Sequence, residues 1–291
     1  MNLSQPHNQS NNLPPLRAIN MEDFLAITLP ERDFLLRPVI PTQGIAILFA
    51  PRGIGKTFAA LGIALAVAGG LSIFNWHAPQ ARSVLYVDGE MPAISMQERL
   101  AALSLGMAAP PRALQKLSII TPDMQPRSMP DLATTYGQQA LEPFLSGVNM
   151  LVLDNLATLC RTGKENESQS WTPIQTWLLD LRRRGMAVLL VHHAGKSGDQ
   201  RGTSAREDIM DTVISLRRPK IYNVAEGARF EVHLRSEDNR LLWDVSDLVN
   251  VQAEELKRLL AEGLSLRDCA DEMGVSKSVL HRLKKRLEGE Q

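Results

Sequence analysis

Cysteine is scarce: two in 291 residues, Cys160 and Cys269, far apart and without a Cys-x-x-Cys pair. That gives no ground for a disulfide or a zinc site and fits a reducing compartment. Net charge is absent too, since 32 Lys and Arg balance 32 Asp and Glu. A basic coat over the whole chain is therefore excluded, and any contact with nucleic acid must be local. The polar start, Met1 to Pro15, is rich in Asn, Gln and Pro and lacks a charged-then-apolar signal, so a cytoplasmic location is expected. The longest apolar run, Phe58–Phe74, holds Gly62, Gly69 and Gly70. It reads as a buried helix ending at glycines rather than a membrane span, and no membrane partner is expected. What the chain has is 44% hydrophobic residues, enough for one sizeable core plus a small appendage.

The apolar run Ile45–Phe49 leads into Ala50-Pro51-Arg52-Gly53-Ile54-Gly55-Lys56-Thr57 and then Phe58–Ala68. Strand, glycine loop and helix in that order form a P-loop, which predicts a triphosphate with Mg²⁺ as ligand. Gly53 and Gly55 put no Cβ in the way and reach φ > 0, so successive N–H groups can converge on phosphate. A helix beginning near Lys56 adds unpaired N–H groups and the positive end of its dipole. Residues 51–58 are thus the candidate nucleotide-binding segment. Within it, Lys56 is expected on the β- and γ-phosphates and Thr57 on Mg²⁺. The usual opening glycine is replaced by Ala50.

Further along, short apolar runs alternate with helical patterns. Val84–Val87 ends in Asp88-Gly89-Glu90, Met150–Leu153 in Asp154-Asn155, and Ala187–Val191 in His192-His193. Ser118–Ile120, Thr212–Leu216 and Phe230–Leu234 read as further strands, and Asp23–Leu36 as a short helix and strand ahead of the core. Continuous apolar runs predict burial on both faces, hence a mostly parallel sheet covered by helices. Ligands of such sheets sit at the carboxyl ends of the strands. Asp154 there is the candidate Walker B carboxylate for the Mg²⁺ shell. Glu90 is the candidate base for the attacking water, with Asp88 its rival. His193 is the candidate γ-phosphate sensor. His192 points the other way if the strand continues. Lys196–Arg206 reads as a polar, basic loop able to meet nucleic acid or a neighbour's phosphates. Arg201, Arg206, Arg235 and Arg240 are candidate trans-acting fingers, and the residues alone do not choose among the four.

With Ala50–Thr57, Val84–Glu90, Met150–Asp154, Val191-His192-His193 and Arg201-Gly202-Thr203-Ser204 in order, residues 20–245 resemble the RecA-like ATPases. They are most similar to the RepA-type hexameric replicative helicases of plasmids and related mobile elements. The resemblance implies ATP and Mg²⁺ at subunit interfaces, a homo-oligomeric ring (usually a hexamer), and single-stranded DNA in a central channel. It also implies Lys56, Thr57, Glu90, Asp154 and His193 in the roles already given. Where such proteins often carry Lys-x-Arg or Lys-x-Asn, this chain has Arg235-Ser236-Glu237-Asp238-Asn239-Arg240, with acids interposed.

Residues 248–291 differ from the core. Ala253–Glu262 predicts one helix, Ser265 caps a second, Gly274 supplies a turn, and Ser276 caps a third. This resembles a helix-turn-helix, with Lys277, Ser278, His281, Arg282 and Lys285 as candidate DNA contacts and no acid from 277 to 287. A plain helical hairpin or a subunit adapter is the alternative. The expected organisation is a disordered segment 1–20, an α/β ATPase domain 21–247 of RecA-like form, and an all-α module 248–291. Two functions follow from it. One is an ATP-dependent helicase or translocase in plasmid or mobile-element replication. The other is an ATP-switched DNA-binding regulator or loader that unwinds nothing.

Overall fold

The computed structural model describes residues 17–29, 32–162, 168–193, 208–216 and 230–273, with positions 277, 280, 281, 284 and 285 beyond them. They form two compact units, one up to Arg32 and one from Asp33 onward. The first holds α1 (Met21–Ala26), whose N-cap Asn20 accepts the Asp23 N–H at 2.8 Å. The expectation of disorder over 1–20 falls outside the described residues except at 17–20.

The second unit opens with a small antiparallel pair, β1 (Phe34–Leu36) and β2 (Ile40–Pro41). Then come β3 (Ile45–Ala50), α2 (Lys56–Gly69), β4 (Ser72–Ile73), β5 (Trp76–His77) and β6 (Val84–Asp88). They are followed by α3 (Ala93–Gly106), α4 (Pro111–Lys116), β7 (Leu117–Ile120), α5 (Thr135–Leu145), β8 (Met150–Asp154) and α6 (Leu156–Leu159). The chain continues through α7 (Ser168–Arg183), β9 (Ala187–His193), β10 (Thr212–Ser215), β11 (Phe230–Glu237), β12 (Arg240–Asp247), α8 (Leu248–Ala261) and α9 (Leu266–Glu272).

A six-stranded sheet in the order β10-β3-β9-β8-β6-β7 forms the core, and every neighbouring pair is parallel. The inner strands β3, β6 and β8 are buried along their whole length, as their unbroken apolar runs require. Side chains alternate between two layers. Ala46, Leu48, Val152 and Leu189 pack with the α2 side chains, while Ile47, Leu151, Leu153 and Leu190 pack with Leu141, Trp177 and Leu181 of α5 and α7. Each fully buried Leu or Ile contributes about 1.5–3 kcal/mol relative to exposure. α2 lies beneath the sheet with Ala59–Gly69 all buried, and it ends on Gly70 in a left-handed conformation (φ +64°). The fold is the α/β arrangement expected, a RecA-like P-loop core.

One late strand departs from expectation. β11 does not join the parallel sheet. It pairs antiparallel with β12 across the turn Asp238-Asn239, both at positive φ. Its residues alternate apolar and polar, Phe230, Val232 and Leu234 against Glu231, His233 and Arg235, which suits a half-buried hairpin rather than a two-sided core strand. Phe74, Trp76, Phe230 and Trp243 stack where this hairpin meets β4 and β5, with ring centroids 4.9–6.0 Å apart.

From residue 248 the described residues form α8 and α9, while the expected turn at Gly274 and cap at Ser276 lie outside the described residues. Ser265 caps α9 in a reciprocal capping box with Asp268. Leu256, Leu259, Cys269, Ala270 and Leu280 form their own small apolar cluster. Positions 277, 280, 281, 284 and 285 are helical; Leu280 is buried while Lys277, His281 and Lys285 are exposed. Ser278 and Arg282 lie outside the described residues.

Candidate functional site

Register places the carboxyl ends of four strands side by side. Ala50 of β3 pairs His193 of β9, Val191 of β9 pairs Asp154 of β8, and Asp154 pairs Asp88 of β6. Beside these tips lies a cavity of about 530 Å³ lined by Arg52, Gly53, Gly55, Lys56, Thr57, Phe58, Glu90, Arg99, Asp154, Asn155 and His193. Elements separated by more than a hundred residues thus meet at one concave surface.

The loop floor is built by glycine dihedrals. Gly53 (φ +79°) and Gly55 (φ +94°) both occupy the left-handed region, and no neighbouring atom crowds either one. Their role is conformational freedom rather than space. Gly55 caps α2, and Ala59 N–H closes the first helical bond onto the Gly55 carbonyl at 3.0 Å. The amides of residues 56–58 precede that bond and have no intrahelical acceptor, so they form an anion-binding helix terminus. Lys56 is buried and its Nζ donates to the Pro51 carbonyl at 3.2 Å. Burial pushes the Lys56 ammonium down, while the nearby carboxylates of Asp154 and Glu90 push it back up. Pro51 and Ile54 do not line the cavity.

Asp154 is almost wholly buried (3 % exposed), and its Oδ2 accepts the Tyr86 hydroxyl at 2.6 Å. Burial raises its carboxyl above the usual range, and the hydroxyls of Tyr86 and Thr57 pull it back down. The Asp154–Asn155 peptide is cis, and the Asn155 side chain caps α6 by accepting from Ala157 and Thr158 N–H. The donor set fits Mg²⁺. Thr57 and Asp154 line the same cavity and offer it hard oxygens, the kind of donor that Mg²⁺ shares with phosphates and water. No group of three or more His, Cys, Asp or Glu among the described residues is arranged to hold a metal by itself.

The two acids after β6 separate by role. Asp88 is buried, and its Oδ2 accepts Glu90 N–H at 3.1 Å and Met91 N–H at 2.6 Å, so it caps the turn. Burial pushes Asp88 up to about 6, against those two backbone donors. Glu90, not Asp88, lines the cavity. His193 lines it too, while His192 is buried at the position pairing Phe49.

Two lining residues had not been singled out from the sequence, Arg99 and Asn155. Arg99 lies on α3 with its guanidinium carbon 4.5 Å from the Phe58 ring centroid. Its signal was helical spacing, since position 99 falls between the buried Met96 and Leu103 on the inward stripe. Of the four candidate fingers, Arg201 and Arg206 lie outside the described residues. Arg235 is ion-paired to Glu237 and, at 2.7 Å, to Asp244, and Arg240 is exposed; neither lines this cavity.

A comparison with protein-family models agrees with this geometry. The family AAA_25, described as an AAA domain, matches residues 10–199, more than half of the 291-residue chain and inclusive of every cavity-lining residue. With its parallel sheet and P-loop, the chain belongs to that family of P-loop ATPase domains.

Proposed function

We propose that this protein is an ATP-dependent DNA helicase or translocase of the RepA type, acting in plasmid or mobile-element replication. The observation that carries the ATPase part is the convergence of Lys56, Thr57, Glu90, Asp154 and His193 on one cavity. On this reading the loop amides and Lys56 cradle the polyphosphate. Thr57 and Asp154 would hold Mg²⁺, which would supply charge neutralisation to the polyphosphate. Glu90 takes a proton from the attacking water, and the Asp88 cap fixes the turn that presents it. His193, on the strand between the P-loop and Asp154 strands, hydrogen-bonds the γ-phosphate and relays its loss into β9. ATP would sit between subunits of a ring, with single-stranded DNA in its channel. The helices from residue 248 on would form a helix-turn-helix that brings the ring to duplex DNA.

One observation favours a second reading, an ATP-switched DNA-binding regulator or loader without unwinding. Arg235 is engaged by Glu237 and Asp244 of its own hairpin, which leaves it poorly placed to serve a neighbour's phosphate. Turnover stimulated by single-stranded DNA, together with unwinding of a forked duplex, selects the helicase. Turnover stimulated by duplex DNA alone selects the regulator. Particle mass measured with and without nucleotide gives the assembly. Replacing Lys56 by Ala is expected to lower turnover by about 100-fold or more; normal hydrolysis in that variant would defeat the site assignment.

A further inference from the structure

Tyr86 is fully buried, at 0 % exposure in the middle of β6, and it is not part of the cavity lining. A core strand could carry phenylalanine there at no cost in apolar area. The hydroxyl is instead spent on Asp154 Oδ2 at 2.6 Å, the length of a charge-assisted bond. The Tyr86 hydroxyl has no water to turn to, and Asp154 is itself only 3 % exposed, open only toward the cavity. Thr57, from the start of the P-loop helix, lines the cavity beside the carboxylate. A buried carboxylate with one oxygen held by a hydroxyl from the neighbouring strand has little rotational freedom left. Strand geometry makes this reproducible. Tyr86 pairs Val152, two residues before Asp154, so a long side chain on the same face reaches diagonally to the strand tip.

We propose that Tyr86 is a positioning residue for the metal carboxylate: its hydroxyl fixes the orientation in which Asp154 meets Mg²⁺ and its waters, without touching nucleotide or metal. The proposal rests on the reading of Asp154 as a Mg²⁺ group of an ATP site. Partners that orient metal ligands typically carry 10–100-fold in metal affinity or activity. The shape of the site is thereby set partly from within the sheet, by a residue that no P-loop motif includes.

Replacing Tyr86 by Phe keeps the ring and deletes only the hydroxyl. Equilibrium binding of a fluorescent ATP analogue, titrated with Mg²⁺ and repeated in EDTA, reads the effect without turnover. The Mg²⁺ concentration for half-maximal enhancement of binding is expected to rise about 10-fold or more, with binding in EDTA unchanged. In an Asp154→Asn background, Tyr86→Phe is expected to add nothing to the Mg²⁺ requirement, because it acts through that carboxylate. An unchanged Mg²⁺ requirement in Tyr86→Phe overturns the proposal. So does equal weakening with and without Mg²⁺, or loss of cooperative melting, because the hydroxyl would then serve folding alone. Failure of the ATP reading itself shows separately, as nucleotide binding indifferent to Mg²⁺ in the unsubstituted protein and unchanged by Lys56→Ala.

Discussion

At the scale of single residues, the site divides into groups that motif spacing exposes and groups that only packing exposes. Gly53, Gly55, Lys56 and Thr57 lie within one five-residue stretch, so chain order alone brings them together. Asp154 and His193 could be picked out because each closes an apolar run, and register then fixes them at one edge of the sheet, while Glu90 lies two residues past the β6 tip Asp88 and lines the same cavity. Arg99 and Tyr86 carry no such marker, since a helix stripe and a strand interior look alike whether or not they serve a site. The choice between Asp88 and Glu90 was likewise closed to sequence, because it turns on two backbone hydrogen bonds to Asp88. Replacing Glu90 by Gln is expected to lower single-turnover hydrolysis by about 10²–10⁴-fold while nucleotide still binds; a loss under about ten-fold would remove it from the role of base. Asp88 makes a separate prediction about stability in the nucleotide-free protein. Its carboxyl titrates near about 6 in the fold and near about 3.9 in an unfolded chain. Between those values the folded state keeps a proton that the unfolded state has released, so stability falls as pH rises through the window. The difference amounts to about 2–3 kcal/mol. An Asp88→Asn protein retains an oxygen for the Glu90 and Met91 amides and should gain about that much on the parent between pH ~4 and ~7, measured by urea unfolding.

Among elements, α3 has the most structural duties. It starts just after Glu90, presents Arg99 to the cavity from its middle, and ends at Gly106 against the hairpin. A Cβ at Gly106 would lie 1.8 Å from the Leu241 carbonyl oxygen, so helix and β12 backbones touch directly. Gly106→Ala therefore cannot be absorbed by a rotamer change and is expected to cost about 1–3 kcal/mol or more in a thermal or urea melt. An effect below about 0.5 kcal/mol would mean the contact is loose. The same junction explains which parts of the fold sequence reading reached. The inner parallel strands β3, β6, β8 and β9 were legible because burial on both faces keeps them apolar almost to their tips. The partner strand β12 was not, because Arg240–Asp247 mixes Leu241, Leu242 and Trp243 with Asp244 and Asp247, as a strand packed on one side does. Its turn, Asp238-Asn239 at positive φ, is the local signal that could have found it.

For the whole molecule, the sequence suggested a core with an appendage, and the described residues join the two without a spacer: β12 ends at Asp247 and α8 begins at Leu248. The path from Glu90 along α3, through Gly106 and Leu241 into β12, and on into α8 is continuous in backbone contact. On the ATP reading, these packed elements would be the route by which a change at the nucleotide reaches the C-terminal helices. What those helices meet is the question on which the DNA reading turns. Leu280 anchors the last of them to Leu256, Leu259 and Cys269, which leaves Lys277, His281 and Lys285 exposed at intervals of four. Residues so spaced share one helix face, directed away from the small core. If that face lies on duplex DNA, each lysine neutralises about one phosphate and releases its counterion. Replacing Lys277 and Lys285 together by Ala should then lower the slope of log K against log salt by about 1.8, with weakening that is nearly uniform across sequences. Such a change would leave the buried Leu280 cluster, and hence the melting of the protein, as it was. A slope unaltered by both substitutions would move DNA off this helix, and the module would then serve contacts between subunits.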